Sequence, residues 1–210
     1  MKLNLFSQSN SPLTQGNTAR AATKLIVLTV LGLASAAALL GCAATQSTLG
    51  NLAYAPLVIT DKDSVALLPL ANHTDVPQAG LRAESITEAT LRNRGLRQLQ
   101  VYPPNLNPET LFEPSERKAQ VEAEKWAKTQ NIRFVVYGAV DEWRYKVGVD
   151  GEPAVGLVLQ VKDLGTGQVV YSASGGKSGW SREALSAVAQ KLIVELVSGI
   201  LTVAPPAAAQ

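Results

Sequence analysis

Eight apolar residues, Leu185, Val188, Ala189, Leu192, Ile193, Leu196, Val197 and Ile200, recur at intervals of three and four near the end of the chain. That spacing puts all eight on one face of a helix. A helix apolar along a whole face must bury it against another layer. Ser181 stands where an N-cap would, and Glu183 suits the first turn. The chain just before this helix supplies the layer. Residues 132–140 (IRFVVYGAV) read as the strongest strand, with an extension through Trp143 and Tyr145. Residues 154–162 and 168–174 read as two more. The pair Asp150-Gly151 favours a tight hairpin turn, and Gly165-Thr166-Gly167 makes the second turn. A three-strand antiparallel meander is predicted, joined to the last helix by a flexible Gly-rich connector at 175–180.

Upstream, residues 64–70 (SVALLPL) have strand length, and 80–94 read as a helix with Arg92 and Arg94 in its last turn. Cations there suit the negative helix end, and Gly95 is a plausible C-cap. Residues 99–102 form a short strand ended by Pro103-Pro104. Pro114 opens a helix running to about residue 130, where its missing N–H does no harm. The expected order is β-α-β-α-β-β-β-α. This is an α/β fold: a mixed sheet with a C-terminal three-strand antiparallel meander and helices packed on the sheet.

The N-terminal part has a different character. Residues 25–40 are uncharged and largely apolar, follow Arg20 and Lys24, and end in Leu39-Leu40-Gly41-Cys42. A basic stretch, an apolar run and small residues before a cut site make a secretory signal. Sixteen residues are short for a bilayer span of about 20. The ending resembles the lipobox of bacterial lipoproteins, which implies cleavage before Cys42 and acylation of that residue. Removing residues 1–41 takes away Lys2, Arg20 and Lys24, three of 19 basic residues, and no acids. The remaining 16 bases against 17 acids give −1, so the +2 of the whole chain is no argument for nucleic acid. The expected organisation is a signal peptide (1–41), a lipidated tether (42–63), one periplasmic domain (64–203) and a disordered tail (204–210). Within the tether Leu52, Tyr54, Leu57 and Ile59 alternate faintly, so part of it could pack as an extended arm.

The chain offers little for catalysis. Cys42 is the only cysteine and His73 the only histidine, which excludes an intrachain disulfide and leaves no credible zinc set. His73 reads as a solvated loop residue. Gly176-Lys177-Ser178 matches the end of a phosphate-binding loop, but Tyr171 stands where that loop needs its first glycine. The expected cofactor set is empty apart from the covalent lipid on Cys42. Trp180, at the end of the Gly-rich stretch, has two readings: a contact with a membrane interface or protein, or a staple packed at the start of the last helix. Asp141, Glu142, Asp150, Glu152 and Asp163 are expected around the hairpin ends. In a ring each acid would be repeated by symmetry, and the summed field could attract a cationic polymer.

Residues 137–192, and most specifically DGEPAVG, TGQVV and GWSREALSAVAQKL, resemble the PelC family, outer-membrane lipoproteins of Pel exopolysaccharide export in biofilms. The opening SVALLPLANHT and the lipobox agree. The resemblance implies a TolB N-terminal-domain-like fold and no enzymatic activity. It implies a homo-oligomeric ring beside the porin PelB, at the periplasmic face of the outer membrane. It also implies an acidic funnel that guides a cationic amino-sugar polysaccharide, and a membrane lipid contact by Trp180. Ala43, in place of an Asp after the cysteine, implies the outer rather than the inner membrane. Asp150, in the matched DGEP segment, is the leading polymer-guiding acid, with Glu152 and Asp141 beside it. Another envelope assembly module, TolB-like or curli-secretion-like, stays open as an alternative.

Overall fold

The computed structural model describes residues 46–49, 56–103, 106, 114–148 and 151–203. The signal segment, Cys42, Asp150 and the 204–210 tail lie outside the described residues. Strand β6 (Pro153–Asp163) sits inside the main sheet and shows why the sheet forms. Val155, Leu157, Leu159 and Val161 alternate along it and are all at most 1% exposed, which is the period-two pattern of a strand with a core on one side. On one flank it pairs antiparallel with β5 (Phe134–Tyr145), from Phe134 opposite Asp163 to Tyr145 opposite Pro153. On the other it pairs antiparallel with β7 (Val169–Ser178).

The sheet continues beyond the meander. β3 (Val65–Asn72) runs parallel to β5, and the two-residue β4 (Gln100–Val101) runs parallel to β3. Helix α1 (Ala79–Asn93) connects β3 to β4, and α2 (Pro114–Thr129) lies between β4 and β5. Among the described residues, the mixed sheet and three helices agree with the expected α/β class. Gly95, at φ 109°, follows the end of α1, as a glycine C-cap should.

Alternation along β3 and β5 separates two cores. Val65, Leu67, Phe134 and Val136 face a large cluster with Ala79, Ala83 and Leu91 of α1 and the apolar stripe of α3 (Leu185–Leu196). Ala66, Leu68 and Val135 face the opposite side, against Ala123 and Ala127 of α2. There Trp126 meets Tyr102 edge-on at 5.3 Å. A register shift between Val140 and Glu142 in β5 lets both Val140 and Trp143 point into the large core. Asp141 is the extra residue, and it is turned outward.

Three expectations change. The helix carrying the apolar stripe begins at Leu185, not near Ser181, and its N-cap is Ala184 with no side-chain cap bond. It ends at Leu196, and Ile200 opens strand β8 (Ile200–Val203). Ile200 remains 2% exposed because the chain bends back through Val197–Gly199 and β8 pairs with β2 (Leu57–Thr60) in a small parallel sheet. The stretch 175–178 is not a flexible connector but the last four residues of β7. It is held between β6 and a short antiparallel edge strand, β1 (Gln46–Leu49). Residues read as tether therefore include two strands. Among the described residues, no helix is long and apolar enough to cross a membrane.

Candidate functional site

The strand registers collect one end of the main sheet into a row. Tyr145 lies opposite Pro153, Ala154 opposite Ser178, and Lys177 opposite Gln46. The backbone N–H of Gly179 donates to the Pro153 carbonyl at 2.9 Å, fixing the exit of β7 against the start of β6. Beyond this row lie the β5–β6 turn and the 179–184 segment that enters α3.

Trp180 is 53% exposed and belongs to neither core cluster, so the indole points to solvent while its backbone is held. Its N–H donates to the Glu183 carboxylate at 3.1 Å, and its carbonyl accepts the Glu183 N–H at 2.9 Å. The same carboxylate takes a hydrogen bond from Lys191, one turn and more into α3. The Lys191 hydrogen bond and the Trp180 N–H hold the Glu183 carboxyl below its ordinary range. Helix entry is completed by a residue the sequence did not single out. The Tyr145 hydroxyl donates to the Glu183 carbonyl at 3.3 Å and accepts the Leu185 N–H at 3.2 Å. It does the work expected of Ser181, satisfying a backbone donor of the first turn. No local pattern announces this, because Tyr145 and Leu185 are 40 positions apart.

The acids are less gathered than expected. Asp141 sits on the β5 bulge, its carboxylate 2.8 Å from Nδ1 of His73, and both side chains are half-exposed. His73 is therefore paired rather than simply solvated. Glu142 pairs with Arg144 at 3.0 Å. Glu152 is exposed at the hairpin end, where its carbonyl accepts the Lys146 N–H at 2.7 Å. Asp141 is four residues down the strand from Tyr145, so the two described acids stand at different levels of the sheet. Asp163 is at the far end of β6 and is buried. Its carboxylate accepts the Gly165 and Thr166 N–H groups at 2.8 and 3.1 Å, which makes it a turn-forming residue.

One partly buried acid was not singled out in the sequence. Glu84 on α1 accepts the Leu70 N–H at 2.9 Å, beside Pro69, where the β3–β5 register shifts. Burial pushes its carboxyl up to about 7, against the opposing effect of that hydrogen bond. Among the described residues, no group of three or more His, Cys, Asp or Glu side chains could hold a metal ion.

Fold and site define a helix-covered mixed-sheet domain whose exposed features are contact residues at one end of the sheet. Comparison with solved structures places it further. A dodecameric PelC from Paraburkholderia phytofirmans matches at 38% identity and TM-score 0.61, covering 74% of this chain and 96% of that one. A dodecamer of a single-substitution variant of that protein also matches at 38% identity and TM-score 0.61, covering 76% and 99%. The chain belongs to the PelC family. No protein-family profile and no curated protein matches it.

Proposed function

We propose that this protein is a non-catalytic, acylated outer-membrane protein that assembles as a ring on the periplasmic side and guides a cationic exopolysaccharide to its porin, PelB. The observation that carries the reading is the 38% match over 96% of a PelC chain that forms a dodecamer. In this reading Cys42 carries the lipid and Trp180 is the second membrane contact. Trp180 adds to the hold of the lipid and orients the domain against the membrane. The half-exposed indole, on a clamped backbone and outside both cores, suits that role. Asp141, Glu152 and Asp150 supply the negative lumen, and the ring multiplies each of them.

The test uses the acyl-free mature chain. Native mass measurement at high micromolar concentration is expected to give a closed multimer. Titration with a partly deacetylated amino-sugar polymer is expected to give binding that weakens with salt, since the Debye length falls to about 8 Å at physiological ionic strength. A monomer at every concentration, or polymer binding indifferent to salt, overturns the proposal.

A further inference from the structure

We infer that β1 is a strap that holds the acylated N-terminus against the Trp180 end of the sheet, so that Trp180, Tyr145 and Val147 rest on the lipid surface. This rests on the reading of Cys42 as the acylated residue.

The first observation is the register. β1 is antiparallel to β7, with Gln46 opposite Lys177 and Leu49 opposite Ser174. Followed backwards from Leu49 to Gln46, the chain therefore moves along β7 towards Trp180. Only residues 43–45 separate Gln46 from Cys42. Four Cα steps reach at most about 14 Å, even fully extended. An anchor joined through a 22-residue flexible tether could leave any face of the domain towards the bilayer. An anchor joined four residues upstream of a paired strand cannot.

The second observation is how the strand is accommodated. A Cβ at Gly175 would fall 2.9 Å from the Ser47 carbonyl oxygen, 2.9 Å from Thr48 Cγ2 and 3.0 Å from Leu192 Cδ1. The bare backbone lets β1 close on β7 from its edge while α3 closes on it from a face. The glycine read as a mark of flexibility is the place where the strap fits.

The third observation is what the strapped end presents. Trp180 is 53% exposed, Tyr145 50%, and Val147 is fully exposed in the β5–β6 turn. Two amphipathic aromatics and an apolar tip match the headgroup region of a bilayer, and the exposed charges beside them are Lys146, Arg182 and Glu152. A protein partner would not need the anchor to emerge at this same end.

The experiment uses the full acylated chain on vesicles of phosphatidylethanolamine and phosphatidylglycerol. Val147→Cys is labelled with an environment-sensitive dye, the thiol of Cys42 being blocked by its lipid. The expected result is a blue shift on vesicle binding. A Gly/Ser insert of about 20 residues between Thr45 and Gln46, spanning roughly 25 Å, should abolish most of that shift while the protein still floats with the vesicles. No blue shift in the parent, or the same shift with the insert, overturns the strap while leaving the anchor reading intact. If Cys42→Ser floats as well as the parent, the anchor reading fails and the strap fails with it.

Discussion

Glu84→Gln isolates a described acid in which burial outweighs the opposing hydrogen bond and leaves the carboxyl raised. It is raised from 4.5 to about 7, with burial the main cause and the Leu70 N–H bond opposing. The folded chain thus holds a proton that the unfolded chain releases at lower pH. The resulting stability is fully present below the unfolded value of 4.5 and is lost as pH rises through about 7. At 1.36 kcal/mol per pH unit, the interval corresponds to ~3 kcal/mol as a ceiling. Glutamine keeps an oxygen for the Leu70 N–H and never ionises. Thermal unfolding of the two acyl-free proteins should therefore coincide near pH 4. Near pH 8 the Gln variant should melt higher, by roughly 6–12 °C at the ceiling, given 2–4 °C per kcal/mol for a domain of this size. Glu84→Ala supplies the control: it leaves the Leu70 N–H without its acceptor and should cost about 1–3 kcal/mol at either pH. A Gln variant that is less stable than the parent at pH 8 would refute the reasoning. It would mean that the charge-assisted bond to Leu70 outweighs desolvation of the carboxylate.

Three further substitutions probe the ends of the sheet. Tyr145→Phe removes the hydroxyl that serves Leu185 and Glu183, and should cost about 1 kcal/mol, with faster amide exchange at Leu185. Asp163→Ala deprives Gly165 and Thr166 of their acceptor and should lower stability by roughly 1–2 kcal/mol, measured by urea unfolding with unchanged m-value. Trp180→Ala should alter thermal stability by less than about 0.5 kcal/mol and weaken vesicle binding. A large loss of stability would instead return Trp180 to the role of a helix staple.

The parts of this fold legible in the sequence are those where period and turn chemistry agree over many residues. The 134–145 strand, the meander and the apolar stripe of α3 are of this kind. What the sequence concealed has specific physical causes. β1 is four residues and shows no alternation, β2 shows only the faint alternation of Leu57 and Ile59, and the partners of both lie more than 120 positions away. Ile200 fits the helical stripe in spacing, yet it is buried by a strand instead, because both solutions place it against the same core. Gly175 and Gly176 carry the signature of a loop, and the close approach of β1 and of Leu192 explains the place of Gly175 in a strand. For the candidate site, Trp180 stood out because an indole in a small polar segment has no local partner. Tyr145 did not, because a capping hydroxyl supplied from another strand leaves no trace in nearby residues. Glu84 looked like an ordinary polar position of an amphipathic helix.

The separation of the acids bears on how guidance could work. Asp141 and Glu152 stand at different levels of one protomer, and Asp141 already faces His73. A unit charge about 8 Å from a cation in water gains ~0.5 kcal/mol before screening, less than thermal energy. One acid alone therefore cannot steer a polymer. On the proposed ring, four such acids within a Debye length of one cationic sugar sum to ~2 kcal/mol, about 30-fold in affinity. Mixed rings of parent and Asp141→Asn/Glu152→Gln protomers test this directly. The logarithm of the polymer binding constant should fall in proportion to the fraction of neutralised protomers. Binding that is unchanged in fully neutralised rings would assign the field to other side chains and remove Asp141 and Glu152 from the polymer path.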